Sequence, residues 1–386
     1  MQNVAQDVNY PITPHPTWNT ADSSKLKTFA TCPRMYFFEY VLGWRTDFPP
    51  IHTAFGSAIH EALEVLSLAP PDEGIENVTE DLKLLVESGR GLVESAVNLA
   101  ISDVYPTVQE AFQRFHACLT KELPQEWWYT EGFLHKSPAR AALALLGYAK
   151  EYRHDCEKYE HLIVDGKKAI ELAGTVNVDR WSLAFRLDEI IVRKRDGALI
   201  IRDHKTAGSF RGWDVQWDND IQVGSYSHVL RCLDPSWGET RAGMVLNGIQ
   251  FNKQTKYSSK ADAKDPFRHV GFMRHESYRS NDQMRAWYWS TIMKLKQLEQ
   301  NFQLLSDFDS PSESVQRSFP MCEVNCSYHF GRPCAYLDIC TTKPNPIRYV
   351  HDLGGEPPIG FRSEFWNPLA KPANINLDLE ESNEES

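Results

Sequence analysis

The chain has 386 residues, enough for one large domain or two ordinary ones, and its 42% hydrophobic and 24% charged content is that of a soluble globular protein. No apolar run approaches the ~18–20 residues a membrane span needs, and the opening MQNVAQDVNYPITPHP lacks the basic start and apolar stretch of a secretory signal, so the expected compartment is the cytoplasm. A net charge of −11 speaks against a protein that coats nucleic acid non-specifically, but not against one that grips it in a local groove.

Residues 1–20 are Pro-rich and read as an irregular lead. Ser23 and Ser24 offer N-caps to a helix through Leu26, Phe29, Phe37 and Tyr40, and a second helix begins near Thr53 with AFGSAIHEALEVL, so 21–70 form an N-terminal helical segment. Residues 71–165 are helical in pattern, broken by Pro106, Pro124 and Pro138, and read as an insertion or lobe. The pattern then changes: 170–178, 183–194 and 198–205 are rich in β-branched residues, as strands are. A helix over Ile221 to Leu230, a strand over Gly243 to Phe251 and a long helix over 281–304 complete a core spanning 166–310. A Cys-rich segment (311–345) follows, then an extension (346–386). Its last nine residues, with Asp378, Glu380, Glu381, Glu384 and Glu385, read as a solvated acidic tail, the alternative being a tail that competes with DNA for a groove. The order predicts an α/β fold: a mixed central sheet flanked by helices, with a helical insertion and a C-terminal Cys-rich clasp.

The strongest local signal is Asp196-Gly197 between two strand-like runs, a hairpin turn. A two-residue turn would pair Arg195 with Ala198 and set Asp188 opposite Lys205, with Asp203 on the same face as Lys205 and diagonal to Asp188. Ile190, Val192, Leu199 and Ile201 share that face. Two carboxylates held so close repel unless a cation bridges them, and Mg²⁺ or Mn²⁺ would suit the oxygen ligands. A surface salt-bridge cluster is the plain alternative.

FRLDEII followed by IIRDHKTAG resembles the core motif of PD-(D/E)XK nucleases, in particular their RecB-like branch. Asp188 matches the first acidic position and Asp203-His204-Lys205 the D/E-x-K element; Leu187 stands where the motif's proline would be. Gly56-Ser57-Ala58-Ile59-His60 resembles the branch's G-x-x-x-H element, and Gln222 and Tyr226 its Q-x-x-x-Y element, all in the family's order. Gly56 and His60 share a helix face, so the missing side chain could let His60 approach the sheet. The resemblance, which covers most of 20–340, implies a restriction-endonuclease-like core and metal-assisted DNA hydrolysis. It implies that Asp188, Asp203, His60 and the His204 backbone carbonyl hold Mg²⁺ or Mn²⁺. Lys205 would orient the attacking water, and Gln222 and Tyr226 would position DNA or Lys205.

Of the eight cysteines, four crowd into FPMCEVNCSYHFGRPCAYLDIC. Cys32, Cys326, Cys334 and Cys340 resemble the ligands of the iron–sulfur nucleases of this branch, the AddB type and the CRISPR-associated RecB-like exonucleases, which implies a 4Fe–4S cluster. A zinc site on Cys322, Cys326, Cys334 and Cys340 stays open. Cys118, Cys156 and Cys232 read as buried small hydrophobes.

Trp213 and Trp217 could stack unpaired bases or pack in the core, and Trp287, Tyr288 and Trp289 carry the same ambiguity; Lys25, Lys27 and Arg34 could touch phosphates. No phosphate loop for ATP occurs, so a helicase or a recombination or adaptation partner would be a separate polypeptide. The function these features imply is a DNA exonuclease on single strands or ends, in recombination, repair, phage DNA processing or CRISPR adaptation. A non-catalytic DNA-end-binding subunit and a zinc-stapled interaction module are the alternatives.

Overall fold

The computed structural model describes residues 10–47, 51–128, 133–234, 243–253, 256–306, 311–326 and 333–380. Helix α1 (Ser23–Thr31) is followed by α2 (Ile51–Leu68), and α3 (Val78–Glu87), α4 (Leu92–Ala100), α5 (Pro106–Glu122) and α6 (Pro138–Glu151) come next. The side chain that caps α1 is Asp22, accepting from the Lys25 backbone N at 2.7 Å, so the cap falls one residue before the predicted serines. The helix expected to run on through Phe37 and Tyr40 ends at Thr31, and Pro33 opens a separate helical turn.

Strands β1 (Ile170–Val178), β2 (Trp181–Arg193) and β3 (Ala198–Ala207) form an antiparallel run. The chain then crosses through α7 (Ile221–Leu233) to β4 (Gly243–Phe251), which pairs parallel with β3. Strand β5 (Val270–Tyr278) adds antiparallel to β4, and α8 (Asn281–Ser306) returns over the sheet. Strand β5 was not expected: it lies at the edge with mostly half-exposed side chains, so its sequence lacks the clean alternation of a half-buried strand.

The acidic tail is also partly structured. Strand β6 (Ile375–Leu379) adds parallel to β1, giving the order β5-β4-β3-β2-β1-β6, and Thr175 Oγ1 donates to Asp378 at 2.8 Å. Gly174 permits this close pairing: a Cβ there would stand 1.7 Å from the Leu377 carbonyl oxygen. Asp378 is thus a strand residue rather than part of a solvated tail; Glu381, Glu384 and Glu385 lie outside the described residues.

One sheet face is covered by α1, α7 and α8, burying Leu26, Leu187, Ile190, Ile201, Val223, Leu246 and Leu295 at 0% exposure. Each such aliphatic side chain contributes roughly 1.5–3 kcal/mol when removed from water. The helices α7 and α8 touch at Gly224, where a Cβ would lie 2.1 Å from Trp287 Cδ1. The other face carries α2 to α6 around Phe55, Phe115, Leu145, Ile249 and Phe251. A third, aromatic cluster joins Trp18, Phe37, Phe38 and Trp44 to Phe302, Phe319 and Tyr336, with Cys334 and Cys340 at its margin.

Candidate active site

The hairpin between β2 and β3 is real, but its turn is longer than predicted. Arg193 pairs with Ala198, so Lys194 to Gly197 form a four-residue turn. Asp196 does not sit as the first of two turn residues. Its carboxylate takes a two-pronged ion pair from Arg193 at 2.8 and 2.9 Å and accepts from the Ala198 N, while Gly197 takes φ +70°. The register therefore differs by two residues from the expected one. Because side chains alternate with period two, an even shift leaves every residue on its predicted face. Glu189 pairs with Arg202, and continuing that register sets Asp188 across from Asp203 rather than Lys205.

Lys205 instead turns back along its own strand, its Nζ 2.7 Å from Asp203 Oδ2. That oxygen is buried, and the Lys205 ammonium is its charged partner. Asp188 Oδ2 accepts from the His204 backbone N at 2.8 Å and lies 3.2 Å from His60 Nδ1. His60 reaches it from α2, which approaches β3 at Gly56; a Cβ there would meet Thr206 Oγ1 at an ordinary 3.6 Å, so space does not demand the glycine.

The two carboxylates are driven apart electrically. Burial favours the neutral acid at Asp188, but the charge and hydrogen bond of His60, with His204 and Lys205, hold it well below the usual carboxylate range. Burial raises Asp203, Lys205 lowers it and Asp188 raises it again, for a net upward shift. His60 is opposed by burial yet ends raised because Asp188 faces it. Burial likewise works against the Lys205 ammonium, and Asp203 and Asp188 outweigh it. Repulsion between the two acids thus raises Asp203, while His60 and Lys205 offset it, as expected of like charges held close.

Behind this patch lies a network that sequence reasoning missed. Glu189, 2% exposed on the opposite face of β2, takes two hydrogen bonds from Arg202 at 2.6 and 2.8 Å. The rings of His204 and His161 each bond it at 3.1 Å. Burial would raise the Glu189 carboxyl; Arg202 and both histidines hold it well below the usual range. Arg202 and Arg274 both pair with Asp155. This network borders a cavity of about 810 Å³ lined in part by Tyr148, Tyr152, Glu160 and Lys168. The signal available was Glu189 beside Asp188 and Arg202 beside Asp203: a second charged pair one residue out of phase with the first.

On α7, Gln222 Nε2 donates to the Tyr226 hydroxyl at 2.8 Å, and that hydroxyl donates to the Arg186 carbonyl at 2.5 Å. The pair thus touches the backbone of β2 just before Leu187-Asp188, and no hydrogen bond joins it to Lys205 among the described residues. Asp220 caps α7 through the Gln222 N. Trp213, Trp217 and Trp287 are buried, so core packing is their use, whereas Trp289 is exposed. Lys25 is buried against the Thr17 and Thr20 carbonyls and buried Arg34 donates to the Phe319 carbonyl, so these two are committed internally, while half-exposed Lys27 pairs with Asp220.

The N- and C-terminal cysteine segments meet. The Arg34 N donates to the Pro320 carbonyl, Asn325 to the Thr31 carbonyl, and the Cys334 N to the Cys326 carbonyl. Burial pushes Cys340 up to about 12, against Arg34, and Cys334, Cys32 and Cys326 add to the rise. Cys32, Cys322, Cys326 and Cys334 line one small pocket, so Cys322 stands at the same place. Of the other three, Cys118 and Cys232 are half-buried and pack against the two sheet-face clusters, as expected of small hydrophobes, whereas Cys156 is exposed.

As the side chains stand, no set of three or more His, Cys, Asp or Glu among the described residues closes into a metal shell. The donor types fit nonetheless: two carboxylates and an imidazole suit a hard divalent ion, and Asp203 Oδ2 is a buried oxygen with no aligned donor.

No helix of the described residues is long and apolar enough to cross a membrane. No curated protein matches the chain. Among solved structures, a candidate exonuclease from Eubacterium rectale aligns over 84% of this chain and 94% of its own, at 12% identity and a TM-score of 0.38. The model of the PD-(D/E)XK nuclease superfamily matches residues 23–341. That span holds β2, β3 and α7 with the mixed sheet around them, and the chain belongs to the PD-(D/E)XK nuclease superfamily.

Proposed function

We infer that the protein is a metal-dependent deoxyribonuclease of the RecB-like branch, acting as an exonuclease on single strands or DNA ends. The observation that carries this is the placing of Lys205 2.7 Å from Asp203 and of His60 3.2 Å from Asp188, with both acids on one face of the hairpin. Asp188, Asp203, His60 and the His204 carbonyl would hold Mg²⁺ or Mn²⁺. When bound, the ion would supply a water of lowered pKa and polarise the scissile phosphate. Lys205 would orient that water, whose oxygen bonds to phosphorus as the bond to the leaving oxygen breaks, and would offset charge in the transition state. The hydrogen bond from His204 N would fix Asp188. Gln222 and Tyr226 would steady β2 through Arg186 rather than touch Lys205. Any helicase or recombination, repair, phage or CRISPR-adaptation partner would be a separate chain.

Cys32, Cys326, Cys334 and Cys340 are read as the four thiolates of a 4Fe–4S cluster, supported by the electrostatic influence of the other three on Cys340. A zinc site using Cys322 is the second reading, supported by its place in the thiol-lined pocket.

The test is incubation with end-labelled single- and double-stranded DNA in Mg²⁺, in Mn²⁺ and in chelator. Cleavage should need the metal, and Asp203→Ala should abolish it while the fold persists. Purified Asp203→Ala protein that digests DNA as fast as wild type would remove this assignment.

A further inference from the structure

A group of basic side chains beside α2 has no role in the chemistry above. His135 and Lys136 lie on a short 3-10 turn (Leu134–Lys136), at 5% and 7% exposure. His135 Nε2 is buried without a hydrogen-bond partner. Lys136 Nζ stands 5.6 Å over the Phe55 ring, and no carboxylate is among the groups acting on it. The His52 ring is 6.2 Å from that of His135. Lys253 is exposed, with its Cε 3.6 Å from where a Cβ on Gly208 would stand. Burial pushes His135 down to about 4, and each charged neighbour adding to the shift is a cation: Lys253, Lys136, His52 and Arg140. Burying the Lys136 ammonium beside Lys253 is costly unless an anion joins it.

The group is also well placed. His52 precedes His60 on α2 by eight residues, about 12 Å along the axis. Gly208 follows Lys205 by three residues, about 10 Å along the strand direction. A centre roughly 10 Å from the reacting groups corresponds to a few nucleotides along a strand. The N-terminal end of α2, with its partial positive charge, lies on the same side.

We propose that Lys136, His135 and Lys253, with His52, hold an internal backbone phosphate of the DNA strand a few nucleotides from the scissile bond. This rests on the nuclease reading and adds a subsite to it: the metal-facing patch cuts, and the basic group sets how far the strand is threaded. The phosphate supplies a negative charge beside buried Lys136 and an acceptor for His135 Nε2–H, and exposed Lys253 adds a cation from the solvent side.

The test uses the full chain in chelator and a fluorescently labelled oligothymidylate, with affinity measured across salt concentrations. Lys253→Ala and Lys136→Met should each weaken binding several-fold and lower the salt slope by about 0.7. One internal methylphosphonate should weaken binding by wild type but not by Lys253→Ala. Lys136→Met keeps the apolar stem over Phe55; should it fail to fold, Lys253→Ala on its exposed side chain still decides. Unchanged affinity and slope in folded Lys253→Ala overturns the proposal, as does dependence on a terminal phosphate alone. Cleavage by wild type with unchanged binding in the variants sinks this subsite and spares the nuclease. Binding that follows these expectations without metal-dependent cleavage does the reverse, and a wild type that binds no oligonucleotide ends both.

Discussion

The His204 backbone N–H donates to Asp188 Oδ2 at 2.8 Å, so the strand carrying the D-x-K element is fastened to the carboxylate of the neighbouring strand. One consequence is that the charge of Asp188 can be removed without undoing the junction. Asp188→Asn keeps an acceptor for His204, so its thermal unfolding should stay within a few degrees of wild type. Metal-dependent DNA cleavage should nevertheless be lost. Lys205→Ala should lower the rate by about 10²–10³ while much of the DNA binding remains, because it acts on the water and the transition state. Wild-type cleavage rates in Asp188→Asn would show that the carboxylate is not a ligand.

Glu189 carries a different kind of prediction. It satisfies Arg202, His204 and His161 at once in a buried setting, so Glu189→Ala leaves Arg202 with only Asp155. Breaking a buried pair from one side costs about 3–5 kcal/mol. Denaturant unfolding should show a loss of that order, with a smaller one for Glu189→Gln, which keeps an acceptor. Equal stability of Glu189→Ala and wild type would mean that the network is not holding β2 and β3 together.

The strands β1 to β4 were legible because each is half or fully buried and rich in β-branched residues, and the faces of Asp188, Asp203 and Lys205 followed from the pleat. The partner of Lys205 was not legible. Turn length depends on whether Asp196 prefers its own backbone or the Arg193 guanidinium, and that competition lies outside any dipeptide rule. Strand β6 was hidden for another reason: a parallel edge strand is held by backbone pairing to β1 and by Gly174, 200 residues away, so its acidic composition says nothing of its partner. The basic group beside α2 was illegible because His52, His135, Lys136 and Lys253 are scattered along the chain.

Lys25 predicts a pH dependence away from the active site. Burial pushes its pKa down to about 8, with Asp22 opposing and Arg45 adding to the fall. Folding then sheds a proton between about pH 8 and the ordinary lysine pKa of 10.5. The penalty is full below pH 8 and relieved as pH rises, so stability should climb by up to about 1.4 kcal/mol per pH unit per lysine. Lys136, also pushed down to about 8, acts in the same direction. Buried tyrosines such as Tyr36 act oppositely above their ordinary value of 10, and buried thiols such as Cys340 act oppositely from near their ordinary value of 9, so the climb is read between about pH 7.5 and 8.5. Lys25→Met should remove about half of it in denaturant titrations. An unchanged slope in Lys25→Met would assign the climb elsewhere.

The cysteine segments give the last prediction. Cys32 is buried at the start of Pro33–Tyr36, and three hydrogen bonds join its neighbourhood to the C-terminal segment: Arg34 donates to the Pro320 and Phe319 carbonyls, and Asn325 donates back to the Thr31 carbonyl. The protein therefore brings these distant segments together before any metal is considered, and closing so long a loop costs entropy that grows only slowly with its length. Thiols packed this closely resist ionisation: burial pushes Cys340 up to about 12. A bound metal reverses that, because the thiolate is its ligand and the proton leaves on binding. Protein purified without oxygen should be brown, and Cys32→Ala should lose colour, iron and thermal stability together. Cys322→Ala should keep all three, since Cys32, Cys326, Cys334 and Cys340 complete the set without it. Colourless protein with one zinc per chain, held in Cys32→Ala and lost in Cys322→Ala, would give the fourth corner to Cys322 and leave Cys32 as a packing residue of the aromatic cluster.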